Sequence, residues 1–107
     1  MFEVSSTSGL TLDVRQVFYA SSAIERYRTA CGTVMLCVVT TGQVKVGDVL
    51  KIGDQTDEVV SLQINKADVS FARLGESVGI GLKSLSAAFV GDMLGMPQKR
   101  GGLWSGE

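Results

Sequence analysis

Residues 32–52, GTVMLCVVTTGQVKVGDVLKI, set runs of Val, Leu, Thr and Ile between glycines at 32, 42 and 47. β-Branched and large apolar residues suit a pleated, half-buried surface, and glycine reaches turn conformations that other residues resist. The stretch therefore reads as a strand over Thr33–Thr41, a turn across 42–47, and a second strand over Val49–Ile52.

The same punctuation recurs on both sides. Residues 1–10 lead into a strand in which Leu12, Val14, Phe18 and Ala20 alternate with Thr11, Asp13, Arg15 and Tyr19, and Gln16 interrupts the inner set. Gly53-Asp54-Gln55 is a hairpin connection. Beyond it, Val60, Leu62 and Ile64 point inward, and Val59, Ser61 and Gln63 outward. Lys66–Leu74 is a connection anchored by Val69 and Phe71. Ser77–Leu85 is a further strand, with Gly79 and Gly81 suited to a close backbone approach or a bend. Ser86–Val90 makes one helical turn, Met93–Met96 closes the set, and Pro97 ends it. Ser21–Arg28 is a long loop dense in charged and aromatic residues.

Short strands with a turn signal every 8–12 residues or so, and no long amphipathic helix, place the chain in the all-β class as a closed barrel or a sandwich. At 107 residues it is one domain, 1–97, followed by a flexible tail, 98–107. Thirteen glycines against one proline agree with many turns.

Ten basic against eleven acidic residues leave a net charge of −1. That balance argues against strong autonomous nucleic-acid binding, which draws most of its non-specific affinity from a basic excess. On one extended strand, Cys31 and Cys37 would lie roughly 20 Å apart, beyond disulfide reach. A reduced, cytoplasmic setting is expected, with neither secretion nor membrane insertion, since no membrane-length apolar run is present.

Several elements taken in order resemble the second domain of elongation factor Tu-class translational GTPases. They are Asp13, Val17 and Phe18; Gly32-Thr33-Val34; Val39 and Gly42; and Val44-Lys45-Val46-Gly47-Asp48 with Ile52. Leu74-Gly75-Glu76, Val78-Gly79-Ile80, Leu82 and Gly91-Asp92-Met93-Leu94 complete the set. The resemblance spans about Asp13 to Leu94 and implies a six-stranded closed Greek-key-type β-barrel with short helical turns. In that family the domain helps hold the acceptor end of aminoacyl-tRNA through a glutamate and a neighbouring aromatic. The matching positions here hold Gln63 and Asn65, and the Ser21–Cys31 loop is longer than the family's. A bulge between Val34 and Val39 would reconcile their odd spacing, but the glycine usual near Cys37 is missing.

Asn65-Lys66-Ala67-Asp68 spells the guanine-reading NKxD, yet neither a phosphate-binding GxxxxGK[ST] nor a DxxG accompanies it. No GTP binding and no cofactor are therefore expected. The chain has no histidine, which removes the commonest general base and leaves both cysteines without a His partner, so no enzyme is expected. Asp54, Asp57 and Glu58 read as a solvated turn.

Two candidate surfaces follow. Nearly every position from Val34 to Val39 is apolar, so Met35, Cys37 and Val38 are expected to form an outward patch, with Trp104 as a second anchor for a protein partner or another copy of the chain. Arg26, Tyr27 and Arg28, with Gln63, form a basic–aromatic set suited to RNA. The leading expectation is a protein-binding or adaptor module; the alternative is an RNA-directed accessory touching tRNA or the ribosome.

Overall fold

The computed structural model describes residues 2–6, 9–19 and 21–95. In chain order the elements are β1 (Phe2–Ser6), β2 (Thr11–Tyr19), α1 (Ser21–Arg26), β3 (Thr33–Thr41), β4 (Gln43–Lys45) and β5 (Val49–Ile52). There follow β6 (Gln55–Ile64), β7 (Ala67–Val69), β8 (Phe71–Arg73), β9 (Ser77–Leu82) and α2 (Ala87–Leu94). The strands run β5-β1-β2-β3-β9-β6, and pairing of β5 with β6 closes the ring into a six-stranded antiparallel barrel. Strand β7 extends β6 on one flank, and β4 and β8 form a separate two-stranded ribbon. The expected all-β barrel is present.

Its interior is filled by Leu12, Val14 and Val17 from β2, Met35, Cys37 and Val39 from β3, and Val78, Ile80 and Leu82 from β9. Leu50, Ile52, Val59 and Leu62 complete the ring, and each such side chain stabilises the fold by about 1.5–3 kcal/mol on burial.

Two bulges set which residues reach that interior. In β2, Val14 pairs with Cys37 and Gln16 with Leu36, so Arg15 is the extra residue. The slip turns Val17 inward and Phe18 outward, correcting the inward assignment of Phe18. In β6, Val59 pairs with Leu82 and Ser61 with Gly81, so Val60 is extra. Val59 is consequently a core residue rather than an outward one, and Val60 is only half-buried. The pairing of β3 with β9 runs unbroken from Val34 to Val38, so no bulge separates Val34 from Val39. Both are buried because they face opposite sides: Val39 looks inward, while Val34 joins Phe18 in a small outer cluster with Tyr27 and Leu36.

Other expectations also change. Phe2–Ser6 is itself a barrel strand. Residues 66–74 contain β7 and β8, and Phe71 is exposed rather than an anchor. The Ser21–Arg28 loop opens with the helix α1. Residues 87–94 form helix α2, not one turn followed by a closing strand. Ser86 caps it by accepting from the Phe89 amide at 3.1 Å, and Gly95 ends it at φ +70°. Its Ala87, Val90 and Gly91 are buried at i, i+3 and i+4, so one stripe of the helix covers the barrel end. Trp104 and the tail lie outside the described residues.

Acidic side chains close two of the turns. Asp48 accepts from the Lys45 amide at 2.9 Å, and Glu76 from the Arg73 amide at 2.7 Å. Asp57 does not sit in a solvated turn. It is buried, and its carboxylate accepts from the Ser84 and Leu85 amides, which ties the end of β9 to β6.

Candidate functional site

Residues 21–29 leave β2, form α1, and return across the outside of β9 as a strap. Inward Val78, Ile80 and Leu82 alternate with outward Gly79 and Gly81, so β9 offers the strap a trough without side chains. A Cβ on Gly81 would lie 2.7 Å from the Tyr27 carbonyl oxygen, and one on Gly79 3.2 Å from the Tyr27 ring. Arg28 turns the chain with φ +57°. Ser61 Oγ donates to the Tyr27 carbonyl, and the buried Thr29 hydroxyl to that of Leu82.

Gln63 supplies the next tie. Its Nε2 donates to the Arg26 carbonyl and to Asp68 Oδ1, both at 2.9 Å. Arg28 reaches Asp68 Oδ2 at 3.3 Å, an exposed pair contributing at most about 1 kcal/mol. Asn65 and Lys66 take φ +52° and +67°, the two positive values that a tight hairpin turn needs, and the hairpin places Asp68 opposite Gln63. The NKxD residues are thus accounted for by a turn and its closing contact. Gln63 lies against the Arg26–Arg28 segment with which the sequence reading grouped it.

Beside Tyr27 lies an open groove of about 390 Å³, lined among others by Arg15, Leu36, Gln63, Lys66 and Ser77. That volume falls within the range of small-ligand sites. Arg15 and Lys66 are its charged lining residues, and Arg15 Nε donates to Asp13 Oδ2 at 2.7 Å. Gln63 is nine-tenths buried, and its Oε1 has no partner within the protein. Leaving such an acceptor unmatched costs about 1–3 kcal/mol. Sequence reasoning missed Arg15 and Lys66; the bulge that re-aims Arg15 has no compositional mark.

The apolar patch expected on β3 is corrected here. Met35 and Cys37 are core residues with 0% and 2% exposure, facing the barrel interior, and only Val38 of the three is half-buried. Both cysteines are free. Burial, with Asp13 adding to it, pushes the Cys37 thiol far above its ordinary range and keeps it neutral and inert. The Cys31 thiol donates to the Leu85 carbonyl at 3.1 Å. Among the described residues no cluster of His, Cys, Asp or Glu could hold a metal ion. No described helix is long and apolar enough to cross a membrane.

Among solved structures, the chain is similar to translation elongation factor SelB from Methanococcus maripaludis in its apo form. The match has 27% identity and a TM-score of 0.63, and it covers 78% of this chain. The barrel is of the translation-factor domain 2 kind. It spans only 17% of the length of that elongation factor. No protein-family model and no curated protein matches the sequence. The SelB resemblance agrees with the one drawn from the sequence between about Asp13 and Leu94.

Proposed function

We propose that this translation-factor-type barrel grips a single-stranded RNA end in the groove beside Tyr27 and does so without catalysis. The observation that carries the reading is an open groove beside Tyr27 that is lined by the cations Arg15 and Lys66 and by no carboxylate among the described residues. Lys66, and Arg15 beside its partner Asp13, suit phosphate. Asn65 cannot stack on a base, but the long strap brings Tyr27 to the same groove from another part of the chain. The match to a translation elongation factor supports the choice of RNA.

Fluorescence anisotropy with a short single-stranded oligoribonucleotide tests this. Binding should weaken with salt and fall about tenfold or more in the Arg15→Ala/Lys66→Ala double variant, because few phosphates are contacted. Absence of binding at low salt would refute it.

The adaptor reading draws support from a different surface. Val46, Val49, Phe71 and Leu74 are 45%, 52%, 38% and 64% exposed, all on or next to the β4–β8 ribbon and the strand that follows β4. A protein partner or a second copy is expected to cover them. Sedimentation of the wild type against Phe71→Ser/Leu74→Ser checks this, and a strictly monomeric wild type at high concentration excludes the second copy.

A further inference from the structure

Helix α1 is six residues long, too short to hold its shape by itself, and Ser21, Ser22, Ile24, Glu25 and Arg26 are all exposed on it. Among the described residues no main-chain hydrogen bond joins residues 21–28 to a barrel strand. The segment is held at Tyr27 instead. The Tyr27 ring covers Gly79 and packs against Phe18 and Val34. The register of β6 on β9 sets Ser61 opposite Gly81 and Gln63 opposite Gly79. Each of these two donors thus stands beside a residue with no side chain, and each reaches a strap carbonyl: Ser61 that of Tyr27, Gln63 that of Arg26. Just beyond, the chain is pinned, since Thr29 is buried with its hydroxyl on the Leu82 carbonyl. Two costs oppose this seating. Arg28 sits at φ +57°, and Gln63 Oε1 is buried without a partner.

We propose that residues 21–28 are a gate that opens as one unit while the barrel stays folded. Ser61, Gln63 and the Tyr27 ring are its latch, and Arg28, next to the pinned Thr29, is its pivot. Segments with few buried side chains and few main-chain ties are those that open below the global unfolding free energy. Closed, the gate makes Tyr27 a wall of the groove. Open, it withdraws that wall, bares Leu36 and the glycine face of β9, lets Arg28 leave the left-handed region and gives the Gln63 amide access to water. Ser61 and Gln63 hold main-chain carbonyls, so the latch depends on the strap's sequence at Tyr27 alone. The exposed Arg28–Asp68 pair adds little to it. The gate works in this way whatever the groove binds.

Native-state proteolysis tests this without any ligand, because Arg26 and Arg28 put two trypsin sites on the gate. Cleavage after them is followed by mass spectrometry across a series of dilute urea concentrations. When opening is fast relative to cutting, the rate reads the population of the open form. Opening that exposes little surface should give a rate nearly flat in urea, whereas global unfolding makes it climb steeply. Ser61→Ala, which removes one latch hydrogen bond, should speed these two cuts about five- to tenfold while keeping the flat response. Tyr27→Ala, which removes the ring and leaves the carbonyl, should do the same and serves as the second variant. Cuts after Arg26 and Arg28 that rise with urea in step with loss of the barrel's circular dichroism would show that the strap opens only when the barrel does, and would overturn the proposal. Cuts that are as fast in the wild type as in both variants would show that there is no latch, and would overturn it as well.

Discussion

The Gln63 side-chain amide donates to the Arg26 main-chain carbonyl at 2.9 Å, linking a barrel strand to the strap that crosses outside it. Replacing Gln63 with Met keeps the length but removes the donor. The strap should then loosen while the barrel persists, at a cost of about 1–3 kcal/mol. Hydrogen exchange should accelerate at residues 26–29 well before the β3 amides respond.

Gly81 and Gly79 should rank in severity. A Cβ at Gly81 meets Ser61 Oγ at 2.5 Å and the Tyr27 carbonyl at 2.7 Å, so Gly81→Ala must displace backbone. Gly79→Ala meets only the Tyr27 ring and the Leu36 side chain at 3.2 Å and beyond. The first substitution should cost about 1–3 kcal/mol and the second less. Thermal denaturation of the two variants checks the order, and equal losses would contradict the close seating of the strap.

Met35 separates a core role from an interface role. With the side chain fully buried, Met35→Ala should lose about 2–5 kcal/mol, measured as a lowered urea midpoint. Val38→Ser, at a half-buried position on the outer face, should lose much less.

Cys37 gives the protein a pH dependence in the alkaline range. Its thiol is raised above the ordinary 9.0, first by burial and then by Asp13. In the unfolded chain the thiol ionises near 9.0, whereas in the fold it stays protonated, so unfolding releases a proton. The stability held by the neutral thiol is fully present below that pH. It falls by about 1.4 kcal/mol per unit as pH rises beyond it. Urea titrations across that range should show the decline in the wild type and a shallower one in Cys37→Val.

The parts of this fold that were legible in the sequence are those decided locally. Gly47-Asp48 and Gly75-Glu76 were readable as turns because each acid accepts from an amide three residues earlier. Gly79 and Gly81 marked a close approach, and Tyr27 makes it. The phase of β2 beyond Arg15, and that of β6 up to Val60, were not readable, since one added residue reverses the alternation without changing composition. Met35 and Cys37 were placed outside because an unbroken apolar run hides which side is the core; the outer cluster under Tyr27 explains why both faces of β3 are apolar. The start of helix α2 was expected as one turn over Ser86–Val90, but a closing strand was expected after it, and Phe2–Ser6 supplies the missing strand instead. For the candidate site, the strap residues and Gln63 were visible as chemistry; that they meet depends on a long-range pairing no local pattern encodes.

The bulge at Arg15 separates two kinds of change that a sequence can undergo. On either side of it the pairs Val14 with Cys37 and Gln16 with Leu36 follow one another on β3 without a gap, so nothing in the packed interior counts on residue 15 being present. One of the groove's two cations, Arg15, is carried by a supernumerary position. Lineages of this barrel can therefore retune what the groove attracts, by substitution or even by excision of one residue, while inheriting the same interior unaltered.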